Sequence, residues 1–342
     1  MVRRGGTPLL FSFALGCSDP GAELCDEPES AGGDEVGAAR LTSAGWGEST
    51  IAEFDGLARR LLDDETVSSS GQPLGFRNWG LEDPRVPVNS ESDLQSYPLR
   101  TVALVRLQYP KKNSVGYWLE RGTGFLVGPR HLLTNRHVVG GTWGDLNEWI
   151  EDPPEFFSLD VFPGRSSEVL LNGGAWAVER VIWNPFPETM YDDYALLILT
   201  DDEERSGQFG RMGLCRASKG TLDELSVFTA GYPAPTEACD QSPEADEEGC
   251  PCAGWMYFQS CAVEEVESQQ LIHSCASQPG QSGSPLWVDE CPGGTRCSVG
   301  IHYGKIGLDA GAVRWEDDDI DWLHARICEW PSDHAPMPPF CD

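Results

Sequence analysis

Three short segments of this 342-residue chain carry side chains that together could activate an alcohol. Gly122-Thr-Gly-Phe-Leu-Val-Gly-Pro-Arg-His-Leu-Leu-Thr-Asn-Arg-His137-Val-Val places an imidazole just after an apolar run. Tyr191-Asp-Asp193-Tyr-Ala-Leu-Leu-Ile-Leu199 places a carboxylate just before one. Gln278-Pro-Gly280-Gln-Ser282-Gly-Ser-Pro285 places a hydroxyl in a glycine-rich turn. A neutral hydroxyl is a poor nucleophile toward an amide. An imidazole that takes its proton, and a carboxylate that fixes the imidazole tautomer and steadies its cation, together remove that obstacle. The N–H groups of Gly280 and Ser282 can then hold the oxyanion, because glycine allows the tight turn that aims them.

Such groups converge only if the intervening elements bring them together. From about Leu99 onward, short runs rich in Val, Leu, Ile, Phe and Tyr alternate with Gly, Pro, Asn and Asp. Thr101–Tyr109, Gly116–Leu119, Gly124–Val127, Phe156–Phe162, Ala177–Trp183, Tyr194–Thr200, Ser226–Ala230, Ser284–Val288 and Ser298–Tyr303 read as strands. Many strands with almost no helix between them predict an all-β barrel or sandwich. The nucleophile elbow Gly-x-Ser-x-Gly does not apply: Ser284 stands where its last Gly is needed, and the alternating helices of that fold are absent. Ile320, Leu323, His324 and Ile327 share one face of a C-terminal helix, whose leading aspartates suit its N-terminal dipole. Apolar spacing between Ser49 and Asp64 predicts one more helix, ended by Ser-Ser-Ser-Gly-Gln-Pro. No internal repeat is visible.

Composition narrows the function classes. Acidic residues outnumber basic ones 55 to 24, a formal charge of −31, which disfavours nucleic acid and polyanionic membrane surfaces as partners. The longest apolar run, Pro8 to Gly16, is about half of the roughly 18–20 residues that a membrane-spanning helix requires. Twelve Cys with only six His, and no pair of closely spaced CxxC units, favour disulfides over zinc and hence an oxidising compartment. The acidic stretches Cys239–Cys250 and Glu316–Asp321 lack calcium-loop spacing and read as a solvated loop and a helix start. No cofactor and no metal are expected.

The N-terminus agrees with export. Arg3 and Arg4, then an apolar stretch from Pro8 to Leu15, then Gly16-Cys17, have the layout of a cleavable signal. Ala14-Leu15-Gly16-Cys17 resembles a bacterial lipobox, although that motif places Leu three residues before the Cys. Two readings stay open: an ordinary signal over 1–17, or a lipoprotein signal whose Cys17 would be the sole membrane attachment. Residues 18–47, acidic and rich in Gly and Ala, read as solvated, and 18–77 as a whole reads as an acidic tether or pro-segment with one helix.

In chain order and context, the His, Asp and Ser segments resemble the trypsin/chymotrypsin clan of serine peptidases. The resemblance implies two six-stranded antiparallel β-barrels within 78–342. It also implies His137 as base, Asp193 (the Asp directly before x-Ala-Leu-Leu) as orienting acid, Ser282 as nucleophile, and protein or peptide substrates. Leu81-Glu-Asp-Pro-Arg85-Val-Pro-Val and Val299-Gly-Ile-His302-Tyr303-Gly304 further resemble bacterial glutamyl endopeptidases. In that subfamily a His on this strand and a hydroxyl residue five positions before the nucleophile bind the substrate carboxylate. The corresponding pair is His302 and Ser277, with Tyr303 and Gly304 lining the same strand. An imidazole near neutral pKa and a hydroxyl can pair a carboxylate without a permanent buried charge.

The same resemblance implies a mature start near Asn78, after Arg77. Gln281 occupies the position where trypsin-like zymogens carry the Asp that captures a new N-terminus, so activation by that ion pair is excluded. Two departures stand out: Lys305 where the subfamily often has Gly, and Arg136 where a small residue or Asn commonly precedes the His. All ten Cys from Cys215 to Cys341 follow the Asp segment, which assigns the staples to the second barrel and the C-terminal extension. Cys291 and Cys297 flank Pro-Gly-Gly-Thr-Arg, a loop suited to a hairpin disulfide. The expected activity is serine endopeptidase cleavage, preferring Glu or Asp before the scissile bond. The alternatives are a broad or small-apolar preference, or a non-catalytic binding protein on the same fold.

Overall fold

In the computed structural model, residues 84–341 are described apart from 89, 112–114, 141–145, 154, 156, 167–168, 172–173, 184–191, 223–225, 235–253, 290–295 and 307–308. The export signal, the 18–77 segment with its expected helix, and the Cys239–Cys250 stretch lie outside the described residues. No described helix is long and apolar enough to cross a membrane.

A short strand, β1 (Val86–Val88), leads into the first barrel. That barrel is built from β2 (Val102–Pro110), β3 (Tyr117–Gly128), β4 (His131–Thr134), β5 (Ser158–Pro163), β8 (Trp176–Trp183) and β9 (Ala195–Leu199). It closes in the order β2-β3-β4-β9-β8-β5, all antiparallel, with the small hairpin β6 (Arg165–Ser166) and β7 (Val169–Leu170) outside the ring. The two runs Gly116–Leu119 and Gly124–Val127 prove to be one strand, half-exposed at its start and buried from Gly122 onward. In β8, Trp176 and Val178 face inward while Ala177 and Glu179 face out, the period-2 signature of a one-sided strand. β9 is buried at every position, which is why its sequence is an unbroken apolar run.

The second barrel follows. β10 (Gly213–Leu214) lies parallel to β15, and the ring itself uses β11 (Ser226–Gly231), β12 (Met256–Val266), β13 (Gln270–His273), β14 (Pro285–Val288), β15 (Cys297–Ile306) and β16 (Asp309–Arg314). The pairings run β12-β11-β14-β15-β16-β13, and β13 pairs back onto β12, closing six strands. β1 adds to the outer side of β12. The architecture is therefore two six-stranded antiparallel barrels with a C-terminal helix.

That helix, Asp317–Glu329, starts at a capping box in which Glu316 and Asp319 satisfy each other's backbone N–H groups, so the acidic cluster is a helix start. Leu323 and Ile327 are fully buried in the same core as the first barrel, although the helix follows the second. Truncating either to Ala would cost roughly 2–5 kcal/mol. His324 stacks on Phe340 at 3.7 Å, and Cys328–Cys341 ties the end of the helix to the tail.

Two further disulfides, Cys215–Cys297 and Cys261–Cys275, lie in the second barrel. The expected Cys291–Cys297 staple is thus corrected. Cys297 is 4% exposed and faces Cys215, beside the parallel β10–β15 pairing, with a Cα–Cα distance of 5.7 Å that suits a bridge.

Candidate active site

His137 opens a single 3-10 turn, His137–Val139, directly after β4, and Gly140 ends it at φ 74°, a left-handed conformation natural to glycine. Asp193 stands just before β9. Because β4 and β9 are neighbours in register (Thr134↔Ala195), the two side chains meet at one rim of the first barrel. His137 Nδ1 lies 2.6 Å from Asp193 Oδ2, and the His137 backbone N–H donates to Oδ1 at 3.0 Å. Asn135 donates to the Asp193 carbonyl at 2.7 Å. Asp193, and not Asp192, holds the imidazole, and it does so through both oxygens. The next residue, Tyr194, packs edge-on against Trp315 and Trp322 and donates to Asp319, so the C-terminal helix braces this corner.

Ser282 arrives from the second barrel on the turn before β14. Thr123 of β3 docks that turn onto the first barrel: its N–H donates to the Ser282 carbonyl at 2.8 Å, and its Oγ1 donates to the Gly280 carbonyl at 2.8 Å. The approach demands glycine. A Cβ on Gly283 (φ 91°) would sit 1.8 Å from the Thr123 carbonyl oxygen, and one on Gly280 (φ 89°) 2.3 Å from that of Tyr232.

The N–H groups of Gln281, Gly283 and Ser284 donate to Gln278, His302 and Gln281 carbonyls. Those of Gly280 and Ser282 make no backbone hydrogen bond among the described residues, which leaves two donors able to meet a developing oxyanion. The Ser282 hydroxyl donates to the Tyr303 carbonyl at 3.3 Å.

The four expected specificity residues lie beside this turn. His302 and Ser277 are buried, with His302 Nε2 2.7 Å from Ser277 Oγ. The strand carrying His302 bulges between His302 and Gly304, so Tyr303 drops out of register and its hydroxyl pairs with Gln270. Gly304 (φ 154°) has open space where a Cβ would be.

Sequence reasoning missed His273. Its Nε2 lies 3.3 Å from His302 Nδ1, and the two rings meet edge-on at 5.3 Å. Burial pushes the His302 pKa down to about 3, and nearby His137 adds to the effect; burial also holds His273 well below the usual range. The expectation of an imidazole near neutral pKa is therefore corrected: burial favours the neutral form of both rings. The signal for His273 was present but weak, a lone His at the end of the four-residue strand Gln270–His273.

Cys261, His273 and Cys275 cluster within 4.8 Å, but the two sulfurs are bonded to each other, making a disulfide beside an imidazole. Of the two departures noted in the sequence, Arg136 lies over the Trp183 ring at 5.7 Å, and Lys305 is exposed.

Two six-stranded antiparallel barrels are the plan of the trypsin clan of serine peptidases, and the chain belongs to it: residues 122–291 match the family model of the trypsin-like peptidase domain. Within the clan, the chain is 24% identical over 187 residues to glutamyl endopeptidase of Staphylococcus epidermidis, including the sequence from strain ATCC 12228. That match covers 54% of this chain and 54% of the relative, so the chain spans about half the length of the curated relatives it matches. A solved structure of a Glu endopeptidase superposes with a TM-score of 0.50 at 15% identity, covering 72% of this chain and 98% of that one; at that identity the likeness speaks for the fold alone.

Proposed function

We propose that the chain is an endopeptidase in which Ser282 is the nucleophile, His137 the general base and Asp193 the group that orients the base. The reading rests above all on the short His137–Asp193 bond at the rim of the first barrel, together with a turn in which the Gly280 and Ser282 N–H groups make no backbone hydrogen bond among the described residues. His137 would take the hydroxyl proton as Ser282 Oγ bonds to the scissile carbonyl carbon, while Gly280 and Ser282 N–H groups receive the carbonyl oxygen's negative charge. The same imidazolium would give its proton to the leaving amine. Water would then repeat the sequence on the acyl-enzyme, restoring the serine and releasing the acid.

The serine hydroxyl is directed to the Tyr303 carbonyl, an arrangement that a non-catalytic binding protein would share. Catalytic hydrogen bonds commonly tighten only once substrate binds, so a reaction of the serine itself must decide between the two. Labelling by a fluorophosphonate, abolished in Ser282→Ala, does; an unlabelled native chain would leave the binding protein as the better reading.

For specificity, the proposal is acceptance of Glu or Asp before the scissile bond, with Ser277 and His302 as the carboxylate-binding pair and Tyr303 and Gly304 lining the approach. The name carried by the relatives and the 2.7 Å Ser277–His302 contact support it. A peptide-library cleavage profile separates it from a broad or small-apolar preference. The −31 charge repels acidic peptides at long range, but screening beyond about 8 Å leaves the local pocket in control.

The three disulfides found among the described residues accord with an exported protein. Residues 1–17 as export signal and 18–77 as tether or pro-segment remain part of the proposal. N-terminal sequencing of the secreted form tests them: a start near Asn78 fits, whereas an intact, active chain beginning at Cys17 would not.

A further inference from the structure

The nucleophile turn is gripped by a residue from outside the barrel that carries it. Arg85 immediately precedes β1, whose pairing with β12 (Val86↔Phe258) and buried Val88 fix the segment in place. The Arg85 side chain is itself buried, 5% exposed, and lies over the Tyr257 ring. Its Nη1 donates to Gln281 Oε1 at 3.0 Å and its Nη2 to Gln278 Oε1 at 3.1 Å. Gln281 Oε1 also accepts the Gln278 backbone N–H at 2.8 Å. One guanidinium thus spans the turn from Gln278 to the residue directly before Ser282.

The position matters because of what the turn must do. The Gly280 and Ser282 N–H groups make no backbone hydrogen bond among the described residues that would fix their peptide planes, so neighbouring groups must do so. Gln281 lies between the two N–H groups in question, and its side chain is held by Arg85 on one side and the Gln278 backbone on the other. A planar fork fixes direction as well as distance, which an ammonium cannot do. We propose that Arg85 is a positioning residue for the oxyanion-binding turn: it touches no reacting atom and acts through Gln281 and Gln278. This rests on the serine-peptidase reading above.

The test uses the full chain with Arg85→Ala, Arg85→Lys, Gln281→Ala and the double variant Arg85→Ala/Gln281→Ala. Amide hydrogen exchange over residues 277–284 reads the turn without reference to catalysis. Fluorophosphonate labelling rate, kcat and KM read its consequence. Arg85→Ala should speed exchange in 277–284 but not in β2–β5. It should slow labelling and kcat about ten- to a hundredfold while KM stays within about twofold, and methylguanidinium should restore part of the rate. The double variant should be no slower than the slower single variant, because both remove one linkage.

If Arg85→Ala does not fold, Arg85→Lys (charge kept, fork lost) and Gln281→Ala carry the same readouts. Unchanged exchange and unchanged labelling in the folded variants, or rate losses that simply add in the double, would overturn the proposal. If the native chain is never labelled but exchange in 277–284 still responds to Arg85, the positioning role stands and the catalytic reading is the one that fails.

Discussion

The two barrels share a strand plan and differ in what fills them. The first packs Val102 and Val105 with Leu132, Leu133 and the unbroken Ala195–Leu199 run, buries fewer polar side chains (Thr123, Arg130, His131, Thr134 and Asn135 among them), and has no disulfide within its strands among the described residues. The second contributes Met256, Phe258, Trp287, Ile301 and Val313 to the core it shares with the first, and adds a smaller apolar cluster around Leu222, Val227, Leu271, Leu286 and Val299. It shares its interior with Gln259, His273, Ser277, Arg296 and His302, all buried. Apolar burial contributes about 25 cal/mol per Å² removed from water, and buried polar groups contribute less and must be paired. A barrel with more buried polar groups gains from other supports, here Cys215–Cys297 and Cys261–Cys275. The proposed chemistry follows the same division: the first barrel holds the His137–Asp193 pair, with His137 half-exposed, and the second holds Ser282 beside the buried Ser277 and His302.

The strongest way to break that division is to remove one partner from each side. Ser282→Ala should abolish fluorophosphonate labelling and lower kcat roughly 10⁴- to 10⁶-fold. Asp193→Asn should cost roughly 10⁴-fold, because an amide favours the wrong imidazole tautomer. The fold should persist in both, since neither side chain belongs to a core. Retained turnover in Ser282→Ala would remove the second barrel from the chemistry altogether.

The second test stays within the second barrel. His302→Ala should lower kcat/KM for peptides with Glu before the scissile bond about a hundredfold or more, since a site built on buried hydrogen-bonding groups discriminates strongly. Labelling by a small phosphonate without a side chain should change far less. Equal loss on Glu and non-acidic peptides would make His302 a packing residue.

How far all this could be read beforehand also divides between the barrels. The apolar runs of β2, β9 and β14 announce themselves, and the His, Asp and Ser segments are local motifs legible without a fold. β12, β13 and β16 gave little signal. β16 is Asp-Ala-Gly-Ala-Val-Arg, and its smallness has a cause that only the fold reveals: a Cβ on Gly311 would lie 2.6 Å from the Tyr303 hydroxyl. The outer half of β12 mixes Ser260 and two glutamates with Cys261, Ala262 and Val263 because it is only partly buried, so it shows no clean apolar run. Long-range pairings were invisible for the same reason: spacing suggests a hairpin disulfide, but which sulfur Cys297 meets depends on β10 lying alongside β15. The Arg85–Gln281 contact joins residues 196 apart and leaves no local trace.

The covalent staples offer a third, smaller effect. Cys215→Ala/Cys297→Ala opens a link between residues 82 apart and should cost about 2–4 kcal/mol in urea unfolding. Amide exchange should rise in β14–β16 and stay unchanged in β2–β5. Equal loosening of both barrels would contradict the idea that only the second relies on its bridges.

The mildest effect is set by pH. Burial pushes the pKa of His131 in the first barrel, and of His302 in the second, from 6.5 to about 3, and holds His273 well below 6.5. Each ring stays neutral when folded yet takes a proton near pH 6.5 once unfolded, so between those values the unfolded chain binds more protons. The stability these groups contribute is complete above about pH 6.5 and declines as pH falls toward 3. The urea midpoint should therefore fall between pH 6.5 and 5, above the range where carboxylates titrate. Two imidazoles in the second barrel against one in the first set the contrast: a His273→Gln/His302→Gln double variant should flatten the slope more than His131→Gln. A flat native profile over that interval would mean that water reaches these rings, and that the second barrel is not the closed polar interior described above.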